Sequence, residues 1–206
     1  MKKKYSINEI KKIICRNVLM IIIFMIIGAL CAGLYAKKRQ ITSYTAKADI
    51  LIGQNINSTN YKNSAVQAGL SMMKTYEKIV ENNETMKMAH DSLSHKDRKK
   101  IKEGEFQSDV KASSHPDSLI LTISSTTGNC YQSIKMTNAV ANISKKQINK
   151  YSPVTSNVKI ISKATKQNTV SVTHPSIKKY VVLGAAIGVL VGMIFSFSLT
   201  TWKNDD

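Results

Sequence analysis

VLMIIIFMIIGALCAGLY, residues 18–35, carries no charged side chain and no polar stripe at helical spacing. A hydrocarbon core about 30 Å thick takes about 20 residues of helix, and a charge at its centre costs at least about 2.5 kcal/mol. The stretch meets both conditions once a flanking residue or two is counted. A soluble core helix would instead show polar residues recurring on one face. A second stretch, VVLGAAIGVLVGMIFSFSL at residues 181–199, has the same character. The chain of 206 residues is 43% apolar overall, an average value that conceals two hydrocarbon segments around a polar middle. We therefore expect two membrane spans, 18–36 and 180–202. They leave a cytoplasmic segment 1–17, a middle domain 37–179 and a short tail 203–206.

A cleaved signal peptide fits the first stretch less well. Its apolar region would run about 7–15 residues, and Leu34-Tyr35-Ala36 makes a poor small-residue site. A lipoprotein box wants a small residue directly before Cys31, where Leu30 stands. Orientation follows from the flanking cations. Lys2, Lys3, Lys4, Lys11, Lys12 and Arg16 precede the first span, against Glu9 alone, while Lys37, Lys38 and Arg39 follow it. The larger cluster belongs in the cytoplasm, so both termini are expected inside and the middle domain outside. Lys178 and Lys179 before the second span pull mildly the other way. Trp202 stands where an interfacial aromatic would.

Cys15 and Cys31 belong to the first span or its edge, leaving Cys130 alone in the middle domain, which must hold itself by packing without an internal disulfide. Net charge is +17 over the chain. Between residues 37 and 179 there are 23 Lys and Arg against 10 Asp and Glu, a net of +13. Such a surface attracts anionic lipid or an acidic polymer. Nucleic acid is excluded by the expected side of the membrane. A merely solvated basic surface remains the plainer alternative.

Within the middle domain, YTAKADILI at 44–52 alternates and then turns apolar, as a strand ended by Gly53-Gln54-Asn55. Val66, Leu70, Met73 and Val80, widened by Ala65, Met72, Tyr76 and Ile79, form the buried face of a helix over 61–80. Asn82-Asn83 break it, 84–93 reads as a shorter helix, and Ser94 caps a further turn. Residues 106–112 alternate weakly and 119–125 (LILTISS) strongly, which predicts a hairpin around Ser113-Ser114-His115-Pro116-Asp117. A long amphipathic helix follows Gly128-Asn129, with Ile134, Asn138, Ala141 and Ile148 along or near one face. VKIISKA at 158–164 is a last strand, and a Thr-rich connector, 165–176, carries Pro175 to the second span. The order strand, helix, strand, strand, helix, strand is the split βαβ pattern. The expected class is α+β: two transmembrane helices flanking an exterior ferredoxin-like βαββαβ domain, its first and last strands antiparallel neighbours.

These residues resemble the chain-length determinant family of polysaccharide co-polymerases, the Wzz-like proteins, in its small Gram-positive type that modulates a capsule tyrosine kinase. The resemblance is carried by the basic tail and first span, by the strand at 44–52, and by Thr75-Tyr76-Glu77-Lys78-Ile79-Val80. It continues through 119–125 after a Pro-Asp turn, Thr137-Asn138-Ala139-Val140-Ala141, and 158–164 leading through Pro175 into the second span. It implies a non-enzymatic regulator of capsular or exopolysaccharide synthesis in the bacterial cell membrane, controlling polymer length or export. Implied partners are the bilayer, further copies of the chain, a polymerase or flippase with its lipid-linked polymer, and a separate tyrosine kinase. Two departures stand out: Pro175 is alone in its connector, and the tail offers a kinase only Trp202, Lys203, Asp205 and Asp206. That is less than a docking surface of standard size, so a kinase contact would need residues 1–16 as well.

No catalytic constellation, metal set or cofactor motif is legible. His90-Asp91 and His95-Lys96-Asp97 gather imidazoles and carboxylates, but a spacing of five does not face two ligands on one helix, and nearby lysines oppose a cation. No phosphate loop occurs, so any kinase is a separate polypeptide. Arg98, Lys99, Lys100 and Lys102 form the densest exterior cation run, a candidate contact for an anionic polymer or lipid, or simply a solvated face. Gly184, Gly188 and Gly192 recur every four residues, a small-residue face for association with the first span or between protomers. The rival function class is a two-span sensor or adaptor whose exterior domain binds a ligand and signals through short tails.

Overall fold

The structure, a computed structural model, describes residues 17–54, 62–152 and 155–203. In chain order its elements are α1 (Val18–Lys38), β1 (Ile41–Gln54), α2 (Lys62–Val80), α3 (Asn83–Asp91), α4 (His95–Arg98) and α5 (Glu103–Asp109). There follow β2 (Val110–Ser114), β3 (Ile120–Thr127), α6 (Cys130–Tyr151), β4 (Thr155–Ser162), β5 (Val170–His174) and α7 (Ile177–Lys203). They fall into two compact units, one of Met1–Ile41 with Thr173–Asp206 and one of Thr42–Val172.

In the first unit, α1 has 21 residues and α7 has 27, about 31 and 40 Å at 1.5 Å per residue. Both are long and apolar enough to cross a membrane. Large side chains such as Leu19, Leu34, Val182 and Ile194 stand exposed, more than two-thirds so in each case. So much bare apolar surface on two helices is unfavourable in water and suited to lipid.

The second unit is built around β1. Ala46, Ala48, Ile50 and Ile52 are fully buried on one face while Lys47 and Leu51 are exposed on the other, the period of two that a half-buried strand requires. β3 lies antiparallel beside it, with Ala48 opposite Ile123 and Ile50 opposite Leu121. On the other side β4 pairs antiparallel, and β2 pairs antiparallel with β3 at the far edge. The order β2-β3-β1-β4 is the ferredoxin-like arrangement, so the α+β expectation holds. β1 and β4 are antiparallel neighbours as the split βαβ pattern requires. Gly53 marks an irregularity in that pairing. A Cβ there would run into the Asn157 carbonyl oxygen, so only glycine admits so close a strand.

One core cluster joins this sheet face to the helices: Met73, Tyr76 and Val80 of α2, Met86 and Ala89 of α3, and Met136, Val140 and Ile148 of α6. Burying each of the larger aliphatic and Met side chains among them contributes about 1.5–3 kcal/mol. The stripe at Met73, Tyr76 and Val80 is the one the helical period requires. Tyr76 satisfies its hydroxyl on Ser152 at 2.9 Å. The Asn82 side chain accepts the Glu84 N–H at 2.8 Å and so caps α3, and the Ser94 hydroxyl caps α4 through the Asp97 N–H.

Two local expectations are corrected. Residues 106–109 belong to α5, and the strand begins only at Val110. Glu103 and Glu105 favour a helix N-terminus there, and Phe106 turns fully inward, its ring edge-on to His90 at 5.8 Å. The connector 165–176 holds a strand of its own, β5, which pairs with β1. Its five residues are all exposed, so backbone pairing rather than apolar burial places it.

Candidate functional site

The cation run sits on a rigid mount. Arg98 closes α4, and Lys99, Lys100 and Lys102 follow it, all four exposed, while Ile101 between them is buried at 1% exposure. Backbone bonds fix the segment: the Lys100 N–H donates to the Asp97 carbonyl at 2.9 Å, and the Lys100 carbonyl accepts from the Gln132 amide at 3.3 Å. The Ile101 carbonyl lies 3.2 Å from His90 Nε2. His90 is thus a buttress for this loop. Its Nδ1 is 3.5 Å from an Asp91 oxygen and makes no hydrogen bond.

Beneath the run lies Asp97, 6% exposed. It accepts from the Ser94 hydroxyl at 2.9 Å and the Tyr131 phenol at 3.3 Å, with Lys135 Nζ at 3.7 Å. The Ser94 hydrogen bond, foremost, with Lys135 and Tyr131 outweighs desolvation and holds the carboxyl below its ordinary range. Asp97 therefore stays ionised and joins α4 to α6. The run itself projects positive charge that no ion pair offsets among the described residues. His95 is exposed and separate from His90, and no group of three or more His, Cys, Asp or Glu that would hold a metal occurs among the described residues.

Gly184, Gly188 and Gly192 face α1. A Cβ on Gly184 would overlap the Gly28 carbonyl oxygen and the Ala32 methyl, one on Gly188 the Phe24 carbonyl oxygen, and one on Gly192 would come within 3.0 Å of Ile21 Cα. The backbones touch because these positions have no side chain. Phe24 and Phe195 stack above them at 5.3 Å between centroids. The small face is occupied within the chain, by the first span. Pro175 stands between β5 and α7, and its carbonyl accepts from the Gln40 side chain at 3.4 Å. Trp202 and Lys203 fall in the last turn of α7, where side chains lie outside the description, as do Asp205, Asp206 and residues 1–16 altogether.

Two contact sets of α6 escaped the pattern of the sequence. Ser125, Thr127, Ser133 and Thr137 form a buried hydroxyl seam between β3 and α6: Ser125 donates to the Ser133 carbonyl and Ser133 to the Tyr44 carbonyl, both at 2.7 Å. Thr137 meets Ser125 at 2.7 Å and Thr127 meets Ser133 at 2.8 Å. Asn138, next to it, grips the backbone after β4 from both sides, donating to the Ala164 carbonyl at 2.9 Å and accepting its N–H at 3.0 Å. Ser and Thr at a spacing of four on a helix that otherwise buries apolar residues were the available signal.

Two apolar helices that flank a ferredoxin-like domain in the sequence, with a cationic loop on that domain, define a class of bilayer-anchored α+β proteins. Within it, the resemblance to the Wzz-like proteins is borne out, since the family model described as chain length determinant protein matches residues 4–93. The chain is also 25% identical over 197 residues to the capsular polysaccharide biosynthesis protein CapA of Staphylococcus aureus strain COL, and equally to that of strain MSSA476. The alignment covers 96% of this chain and 86% of those proteins.

Proposed function

We propose that this protein regulates the assembly of a capsular or extracellular polysaccharide at the bacterial cell membrane, acting by contact rather than by catalysis. The observation that carries the proposal is similarity along nearly the whole chain to capsular polysaccharide biosynthesis proteins, joined to the match with the chain length determinant family. The physical arrangement is consistent with it. Residues 18–36 and 180–202 anchor the chain twice, both termini lie in the cytoplasm, and the basic domain 37–179 faces outward. There Arg98, Lys99, Lys100 and Lys102 meet an anionic glycan, and copies of the chain gather around the polymerase or flippase. Modulation of a separate tyrosine kinase would fall to the cytoplasmic segments.

The decisive experiment deletes the gene and resolves the cell's polysaccharide by size on a gel. A changed length distribution or yield, restored by complementation, is expected; an unchanged profile overturns the proposal. Reporters fused at residue 115 and after Asp206 test the orientation, the first active outside and the second inside.

A further inference from the structure

The sheet has two edges, and the chain finishes them differently. At β2 the outward N–H groups of Ala112 and Ser114 end on the carboxylates of Glu81 and Glu77. β4 is the last strand of the order β2-β3-β1-β4, and β5 pairs with β1 rather than with it. Among the described residues no side chain meets the outward backbone groups of β4.

The register says which groups those are. The Ile52 N–H donates to the Leu119 carbonyl at 2.9 Å, on the β3 side. Leu51 and Gly53, one residue to either side, therefore turn their N–H groups to β4, opposite Lys159 and Asn157. Lys159 and Asn157 bond back to β1, and the alternate residues Val158 and Ile160 direct N–H and C=O outward. Side chains alternate as well. Val158 is buried against the helices and Ile160 half-buried, while Lys159 is exposed on the opposite face beside the exposed Leu51.

Just beyond, Ile50 faces Ile160 and Asp49 faces Ser162, so Ile161 is the extra residue of a bulge and stands exposed. A lysine and a bulge are devices by which an edge strand discourages stray pairing. Their effect is selective, because a lysine repels a basic strand and favours an acidic one across from it. No acid stands between Asp117 and Asp205, so Lys159, Lys163 and Lys166 have none near them in sequence. Asp49 on β1 is engaged by the Thr122 hydroxyl at 2.7 Å, and no ion pair reaches the three lysines among the described residues. A second copy of β4 would bring the same lysines and no acid, which disfavours pairing between copies.

We infer that the β4 edge takes up an extended segment of another protein in which an acidic residue stands between two apolar ones. The backbone groups of Val158 and Ile160 form the new ladder, the acid lies across from Lys159, and the apolar pair covers the helix-facing side beside Val158 and Ile160. The inference is independent of the polymer-regulating proposal.

The test adds an end-blocked synthetic peptide, Ser-Thr-Val-Glu-Val-Thr-Ser, to the full chain in detergent and reads amide hydrogen exchange residue by residue. The Val158 and Ile160 amides are expected to slow at least about tenfold with peptide, whereas the Lys159 amide, bonded to β1, is slow without it. Lys159→Glu, a change on an exposed side chain, should weaken binding about tenfold, and a peptide with Lys in place of Glu should restore it. Ile160→Pro removes an outward donor without breaking a bond to β1 and should abolish binding. The charge-reversal pair keeps the inference open to failure even where proline disturbs the fold. Absence of slowing at Val158 and Ile160, or equal affinity of the parent chain for the Glu and Lys peptides, overturns it. So does slowing that follows protein concentration without peptide, which assigns the edge to a second copy. An acidic polysaccharide that slows the same amides as well as the peptide does overturns it too.

Discussion

Glu77 Oε1 accepts both the backbone N–H of Ser114 at 2.7 Å and its hydroxyl at 2.6 Å. One helical turn on, Glu81 Oε1 accepts the Ala112 N–H at 2.9 Å. β2 is the outer strand of the order β2-β3-β1-β4, so these N–H groups face away from β3 and would otherwise be open to another strand. A pair of carboxylates four residues apart, Glu77 on α2 and Glu81 just past its end, matches the two-residue repeat of outward N–H groups on β2. The helix thereby closes the sheet edge.

From this clasp follows an acid dependence. Desolvation pushes the Glu77 carboxyl up, but the Ser114 hydroxyl, Lys74 and the Ser114 N–H together bring it below its ordinary value of 4.5. A carboxyl lowered in the folded state contributes stability that is present above the unfolded value and lost as pH falls through the folded one. Stability should therefore decline on acidification below about pH 4.5, and Glu77→Gln should flatten that limb of a melting-temperature profile. At neutral pH the substitution should cost about 1–3 kcal/mol, because two donors lose a charged acceptor. An unchanged acid limb in the variant would show that the clasp is not what titrates.

The helix pair admits no side chain at its closest points. Gly188→Leu would drive a branched side chain into the Phe24 carbonyl and toward Met25 Cα, which lies 2.9 Å from where the new Cβ would stand. Overpacking of this kind costs about 1–3 kcal/mol. We expect Gly188→Leu to lower the melting temperature in detergent and to weaken cross-linking between cysteines placed on α1 and α7. Gly192→Ala, whose methyl meets nothing closer than 3.0 Å, should do so less. Equal behaviour of the two variants would deny that backbone contact holds the pair.

How far the sequence foretold this arrangement differs from element to element. β1, β3 and α2 were legible because burial on one face imposes a period, seen in Ala46, Ala48, Ile50 and Ile52 and in Met73, Tyr76 and Val80. β5 was not, since Val170 and Val172 are exposed at 54% and 43% and pairing with β1 leaves no apolar pattern. α5 was mistaken because Phe106 and Val110, four apart, satisfy an alternating and a helical pattern alike; both are buried, and only packing against α3 decides. At the sites, four-residue repeats disclosed the glycine face. The Glu77 and Glu81 clasp was hidden, because two carboxylates four residues apart carry no mark of the strand they meet.

Asn138 offers a separate check on the link between α6 and the segment after β4. Its amide makes two hydrogen bonds to the Ala164 backbone, one in each direction. Asn138→Ala should cost about 1–3 kcal/mol for the unsatisfied backbone groups. Loss of the tether should also speed proteolysis within residues 163–169, where the exposed lysines Lys163 and Lys166 offer trypsin sites. Asn138→Asp retains an acceptor for the Ala164 N–H and should show an intermediate rate. Cleavage unaltered in the alanine variant would mean that β5 pairing alone holds the segment.

The cation run makes the last prediction quantitative. Replacing Arg98, Lys99, Lys100 and Lys102 by Gln leaves the buried Ile101 anchor and the Asp97 contacts to Ser94 and Tyr131 in place, so the fold should persist. Exposed charges act through screened fields, with a Debye length of about 10 Å at 0.1 M salt and about 3 Å at 1 M. If these four side chains meet an acidic glycan, the variant should bind it at least about tenfold more weakly at about 0.05 M salt, and the two proteins should converge as salt rises toward about 1 M. Titration of the purified protein against an acidic and a neutral polysaccharide provides the reading. Removal of four charges that alters neither affinity nor its salt dependence would reduce the run to a solvated surface, and the glycan contact would have to lie elsewhere on the domain.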